Sequence, residues 1–316
     1  MYVNSTIDPC KAPNRFTYEV LSWVMVVEYV LGLPLNLSVL YIFIFRYKFW
    51  KNKSIFLFNI VLADFLLMVC LPAKAYHYRH GQRRSPIKAV CKTMHFLLCL
   101  NRGASIAFLI TLSIDRYFNV VHLGRRNFVK VLKKTPQISI LIWVLLLPLT
   151  IHTMVNTFEC CNSFGNKMFL NDVTDLFREI VYFTQILIPF IILVYCSVRI
   201  VYRLRRKTVG EKTKLRRAVL VVISVVVVFT LCFLPITIAR AVLLVARLQY
   251  WQREYVVVQV YDSLMVLSYI DCLLDPLVYC FCISGFKDAY MSTFCPTFLK
   301  KKLLKAELAL EQQPQL

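Results

Sequence analysis

The stretch LRRAVLVVISVVVVFTLCFLP, residues 215–235, decides how the chain must be read. From Ala218 to Pro235 only Ser224, Thr230 and Pro235 interrupt an apolar series. A helix needs about 20 mostly apolar residues to cross the hydrocarbon core of a bilayer. This stretch belongs to an apolar segment at 218–245. Six more lie at 21–45, 55–73, 93–114, 138–155, 179–200 and 256–283. One such run alone is equally a buried helix of a soluble protein; seven joined by short basic connections are not. Membrane-spanning strands are excluded because they read as alternating segments of about ten residues. The predicted fold is an all-α membrane protein, a seven-transmembrane helix bundle, with no internal repeat and no second domain.

Composition agrees. The 316 residues are 59% hydrophobic and 17% charged, against about 45–50% and about 25% in ordinary globular domains. A net charge of +21 on a soluble chain would point to nucleic acid. Here the basic residues sit between the apolar runs, so no nucleic-acid partner is expected. The connections 46–53, 117–136, 199–217 and 284–316 carry 23 Lys and Arg, and those on the other side carry 13. Positive charge accumulates on the cytoplasmic face, which puts the N-terminus outside and the C-terminus inside. The chain then divides into an extracellular N-terminus (1–20), the spanning domain (21–283), an amphipathic membrane-surface helix (284–298) containing SGFKDAYMSTF, and a cytoplasmic tail (299–316). The first twenty residues lack the apolar core of a cleavable signal, so the first span is expected to direct insertion. Asn4 heads a glycosylation sequon on the outer side. The inner face would also attract anionic membrane lipids.

Ionisable groups at membrane depth are costly unless paired or hydrated, and so mark function. The second span carries Asp64. The third carries Asn101, Arg102 and Ser105, then Asp115, Arg116 and Tyr117 at its inner end. The seventh carries Asp271 and Asp275, followed by Pro276 and Tyr279. Prolines 148, 189, 235 and 276 remove helix hydrogen bonds and supply kinks. Arg102 lies eleven residues beyond Cys91, roughly 16 Å at the rise of a helix, deep enough to floor an outward-facing cavity. A guanidinium is permanently charged and offers a planar fork to a carboxylate. It either receives an external acid there or pairs with Asp64 or another buried carboxylate. Arg240, five residues past Pro235, is nearer the mouth, as a ligand contact or a solvated helix end. The outer side counts 13 basic against eight acidic residues, a surplus that steers anions inward. Met94, Leu98, Phe233, Leu264 and Leu267 would offer apolar surface near Arg102. Of the 12 cysteines, Cys10, Cys91, Cys160 and Cys161 fall on the oxidising side. No nucleophile–base pair, metal-ligand spacing or phosphate loop points to an enzyme.

Asn36, LADF (62–65), Cys91, DRY (115–117), Trp143, Pro189, CFLP (232–235) and DPLVY (275–279) together resemble the rhodopsin-like G-protein-coupled receptors. Within them, FLFNIVLADFLLMVCLP (56–72), LCLNRGASIAFL (98–109), CNSF (161–164) and CFLPITIAR (232–240) are similar to the hydroxycarboxylic acid and oxoeicosanoid receptors. The resemblance implies a plasma-membrane receptor for an anionic ligand, either a hydroxy or oxo fatty acid or a small monocarboxylate. It implies signalling through a heterotrimeric G protein of the inhibitory class, with arrestin as a further partner. Arg102 would be the carboxylate anchor, assisted by Tyr269, with Ser163 and Arg240 as further contacts. Asp64, Asn101, Ser105, Asp271 and Asp275 would form a sodium pocket, although the family usually has asparagine where Asp271 stands. Asp115 and Arg116 would form a resting latch beside Tyr117. Pro235 would be the hinge above Phe233, and Asp275, Pro276 and Tyr279 part of the switch. The implied disulfide is Cys91–Cys161, with Cys160 in competition; Cys10–Cys160 would be a second, and Cys295 is a palmitoylation candidate. The first outer loop, HGQRRSPIKAVC (80–91), lacks the family's aromatic motif, and Leu35 replaces a usual glycine before Asn36. Two other classes remain as rivals: a transporter or channel for organic anions, which would require internal repeats, and a decoy receptor without signalling.

Overall fold

The computed structural model describes residues 11–46, 52–121, 135–155, 173–205, 209–249, 254–282 and 286–294. These residues are helical almost throughout; the one β-bridge among them joins Lys11 to Gln82. The helices are α1 (Arg15–Tyr41), α2 (Asn52–Arg79), α3 (Lys88–Val121), α4 (Thr135–Val155) and α5 (Val173–Arg205), then α6 (Val209–Cys232), α7 (Leu234–Leu248), α8 (Glu254–Leu267), α9 (Asp271–Cys282) and the short α10 (Phe286–Phe294). The sixth span is α6 plus α7, and the seventh is α8 plus α9. Six spans are long and apolar enough to cross a membrane, and a shorter apolar helix at Pro136–Ile151 completes seven.

The burial pattern is that of a bundle in lipid. Ile140, Leu141, Val144 and Leu145 of α4, and Ile188, Ile191 and Val198 of α5, are exposed. Polar Asn36, Asp64, Asn101, Ser105 and Asp275 are buried. Every backbone polar group in a bilayer must be satisfied within the protein, which is why the spans are helices and why polar side chains turn inward. Helix α3 packs against α2, α4, α5 and α6 and forms the centre of the bundle.

Several boundaries differ from those expected. The Asn14 side chain accepts the Phe16 N–H at 3.1 Å and caps α1 at Arg15, so the helix starts inside the segment assigned to the extracellular N-terminus. Helix α2 continues through Pro72 to Arg79, and α3 begins at Lys88. Lys74, Arg79, Lys88 and Lys92, counted as loop charges, are therefore helical. Leu267 is 52% exposed and faces away from the bundle.

Both broken spans have local causes. Pro235 has no N–H to give the carbonyl four residues earlier, and the sixth span turns at Phe233, between α6 and α7. There the Thr237 N–H and hydroxyl both donate to the Phe233 carbonyl, at 3.2 and 2.7 Å. The seventh span tightens into a 3₁₀ turn at Ser268–Ile270. The Ser268 hydroxyl donates to the Met265 carbonyl at 2.7 Å, and Asp271 Oδ1 accepts the Cys272 N–H at 2.8 Å. Asn36 then donates to the carbonyls of Gly32 and Cys272, both at 3.0 Å, tying α1 to α9.

Close approach in α1 comes from Gly32, one turn before Asn36. A Cβ there would stand 3.1 Å from Met68 Sδ and 3.3 Å from Cys272 Sγ. Gly32→Val should therefore overpack the junction of the first, second and seventh spans, costing about 1–3 kcal/mol, and lower the melting temperature of the detergent-solubilised protein. Gly32→Ala, which the flexible Met68 can accommodate, should melt close to the unaltered chain. Equal melting for Val and Gly would show that the three helices do not meet at this point.

Candidate functional site

Arg102 lies in the outer half of α3, half-buried. Its guanidinium stands 6.0 Å from the centre of the Tyr182 ring, and its main electrostatic neighbours are the hydroxyls of Tyr182, Tyr261 and Tyr269. Among the described residues no carboxylate lies within ion-pair distance of it. The expected alternative of internal neutralisation by Asp64 is not what the geometry contains. The Tyr182 hydroxyl is buried with no hydrogen-bond partner. One buried hydroxyl thus lies beside a fixed positive charge that no carboxylate among the described residues pairs.

Tyr269 is placed by the 3₁₀ turn and is 4% exposed. Its hydroxyl accepts from Lys74 Nζ at 2.6 Å. Lys74 also lies 3.2 Å from Met265 Sδ, and its ammonium stands over the rings of Tyr78 and Tyr269 at 5.4 and 5.0 Å. Lys74 lies one residue beyond the expected second span (55–73) and was counted among the loop charges, so it was missed. Its helical spacing from Leu67, Leu71 and Tyr78, all buried, was the available signal. Glu28, buried in the middle of the first span, was also missed; its Oε2 has no hydrogen-bond partner.

Arg240 differs from both expectations. It is neither a bare ligand contact nor a solvated helix end. Glu179 of α5 takes it in a two-point ion pair, through Nε at 3.0 Å and through Nη2. Its guanidinium lies over the Tyr182 and Tyr261 rings at 5.9 and 5.5 Å. Arg240 therefore braces the wall around Arg102 with its charge already met.

The outer end is closed by a second network. Tyr18 Oη and Arg83 Nε both donate to Asp262 Oδ2, at 2.5 and 2.8 Å. Burial works against the Arg83 charge, but the adjacent Asp262 more than offsets it and holds the Arg83 pKa above its ordinary value. The Ala12 N–H donates to the Gly81 carbonyl at 2.9 Å, and Gly81 has φ +69°, a backbone state suited to glycine. The first outer loop, without its aromatic motif, is thus anchored by charge and backbone pairing.

Deeper in the bundle, both oxygens of Asp64 and of Asp275, Ser105 Oγ and Asn101 Nδ2 are buried without a hydrogen-bond partner. Asn101 lies beside Asp64 and Ser105 beside Asp275. Asp271 is committed to the Cys272 N–H, and no cluster of three His, Cys, Asp or Glu among the described residues has the geometry of a metal cage. Asp64, Asn101, Ser105 and Asp275 thus form a group of buried polar side chains beside one another. Asn59 of α2 accepts from Trp143 Nε1 at 2.7 Å and links the motif tryptophan to the second span.

At the inner end Asp115 and Tyr117 are buried. Asp115 and Arg116 are each partnered. Phe233 is 1% exposed and meets Phe229, which stacks on Phe190, at ring distances of 5.3 and 5.8 Å. Pro276 and Tyr279 lie in α9. Cys91 is disulfide-bonded; Cys10, Cys160, Cys161, Ser163, Asn4 and Cys295 lie outside the described residues.

Residues 35–279 match the family model of the seven-transmembrane receptors of the rhodopsin family. Human hydroxycarboxylic acid receptor 2 is 31% identical over 301 residues, 93% of this chain and 82% of that protein. The mouse 12-(S)-hydroxy-5,8,10,14-eicosatetraenoic acid receptor is 30% identical over 293 residues, 89% and 90%. Human oxoeicosanoid receptor 1 is 28% identical over 271 residues, 84% and 70%.

The Arg240–Glu179 brace gives a stability test. Glu179→Gln should lower the melting temperature by the equivalent of about 3 kcal/mol, since it strands a largely buried cation. Glu179→Leu combined with Arg240→Met should recover most of that loss. A single variant melting like the unaltered protein would show that the pair carries no load.

Proposed function

The chain belongs to the rhodopsin family of seven-transmembrane receptors, and from that membership we propose that it is a plasma-membrane receptor for an organic acid, a hydroxy or oxo fatty acid or a small monocarboxylate. The acid is held by Arg102 with Tyr269, and the signal passes to a heterotrimeric G protein of the inhibitory class, with arrestin acting on the activated state. The N-terminus is extracellular and the C-terminus cytoplasmic. One observation carries the reading: the Arg102 guanidinium has no carboxylate within ion-pair distance among the described residues and is ringed by tyrosines. A buried cation left in this condition is costly, and an incoming carboxylate relieves it through charge-assisted, two-point hydrogen bonding. The names of the relatives, receptors for hydroxycarboxylic acids and for oxygenated fatty acids, support the same ligand chemistry. Ser163, outside the described residues, is retained as a further contact on the resemblance alone.

Activation runs through the break in the sixth span. Pro235 and the turn at Phe233 let α6 and α7 change their mutual angle, and Phe233 couples that angle to the aromatic stack on Phe229 and Phe190. At the inner end Arg116 is the group that meets the G protein, and Asp115 and Tyr117 position it. Asp275, Pro276 and Tyr279 bend the last span around the same event. A sodium ion held by Asp64, Asn101, Ser105 and Asp275, with Asp271 next to them, stabilises the resting state.

Nucleotide exchange on inhibitory G protein, measured in membranes against unbranched monocarboxylates of two to twenty carbons, tests the reading. At least one chain length should activate the receptor, and Arg102→Ala should reduce its potency at least a hundredfold, in line with the roughly 2–5 kcal/mol that a buried charge pair loses on truncation. Equal responses from receptor and variant would remove the anchor. In the same assay, raising sodium should weaken agonist potency, and Asp64→Asn should abolish that dependence. A sodium effect that persists in Asp64→Asn would place the ion elsewhere.

A further inference from the structure

Lys74 is the second cation facing this site, and nothing in the reading above gives it a task. It is 6% exposed, and among the described residues no carboxylate lies within ion-pair distance of its ammonium. Of its three protons, one goes to Tyr269 Oη at 2.6 Å and one is directed to the weak acceptor Met265 Sδ at 3.2 Å. The third has no acceptor among the described residues. The charges that act on it are Asp262, Arg102 and Arg84, and Glu28 also feels its charge. The bond to Tyr269 also has a direction. Lys74 is a donor only, so it occupies a lone pair of Tyr269 Oη, and the phenolic proton must be offered elsewhere. No hydrogen bond from it to a described residue is seen, and Arg102 is the charged group that acts most strongly on that hydroxyl.

We propose that Lys74 is a second anion-holding group of the Arg102 site, so that the acid headgroup sits between the Arg102 guanidinium on one side and the Lys74 ammonium with the Tyr269 hydroxyl on the other. This rests on the acid-receptor reading above and deepens it. Two cations and an oriented hydroxyl select a full carboxylate over an amide or alcohol of the same shape. Lys74 acts partly on the acid directly and partly by fixing the Tyr269 proton.

The proposal separates from a purely structural role because the two predict opposite signs in the empty receptor. A tether between the second and seventh spans stabilises, whereas a buried ammonium with only a hydroxyl and a thioether as partners destabilises. The receptor, Lys74→Met, Lys74→Arg, Tyr269→Phe, the double variant Lys74→Met with Tyr269→Phe, and Arg102→Ala would be placed in lipid nanodiscs. Each would be melted alone and with sodium octanoate, octanamide or octan-1-ol, and the monocarboxylates of two to twenty carbons would follow on the unaltered receptor. Empty Lys74→Met should melt at or above the unaltered receptor, and its octanoate affinity should fall at least tenfold. Lys74→Arg should keep most of the affinity. The double variant should lose less than the product of the two single losses, because part of the Lys74 effect passes through Tyr269. Octanamide and octan-1-ol should bind weakly and alike in the receptor and in Lys74→Met. Lys74→Met that melts lower and binds octanoate as well as the unaltered receptor overturns the proposal and leaves the Arg102 anchor standing. If no acid stabilises the unaltered receptor, the acid reading and the Lys74 role fall together.

Discussion

A positive charge fixed in a low-dielectric bundle must be answered by a negative one, and at Arg102 the protein itself does not supply it within ion-pair reach. Elsewhere the molecule meets this demand internally. Arg240 is answered by Glu179, Arg83 by Asp262, and Arg247 by Glu254 at 2.8 Å. Against these pairs stands the Arg102 guanidinium of α3, 6.0 Å from the centre of the Tyr182 ring and, among the described residues, with no carboxylate in ion-pair reach. The same residue type is a strut where a carboxylate faces it, and on the proposed reading an anion holder where none does.

Much of the architecture was legible because lipid imposes a simple rule on sequence. A run such as 218–235 has no other comfortable state, and a charge inside such a run stands out. Arg102, Asp64 and Asp275 were found that way. Lys74 was not, since it falls just past the apolar run 55–73, yet α2 carries Pro72 and continues to Arg79. Helices in lipid tolerate proline where neighbouring helices and side chains meet the freed groups, and a helix can run on past its apolar stretch. Pro34 lies inside α1 in the same way.

Long-range pairings were the other blind spot. Glu179 and Arg240 are 61 residues apart, and Tyr18 and Asp262 are 244 apart. Spacing along one chain carries no information about such partners. Both Glu179 and Asp262 looked like outer-side acids that merely reduced a net charge. In the fold they decide which cations are spoken for. The inner-end motif was legible as a motif, while its contacts depend on neighbours that no local pattern specifies.

The double donation to the Phe233 carbonyl has a mechanical consequence. Pro235 leaves the Leu231 carbonyl without its helical donor, whereas the Phe233 carbonyl, at the turn itself, keeps its own and gains a second. Here Thr237 brings two donors to the same oxygen, one on the backbone and one on a short side chain able to turn. As the angle between the two halves of the span changes, the hydroxyl can hold the carbonyl while the amide lets go. The joint therefore has its lubricant built in: a hydrogen bond that can change donor without being lost.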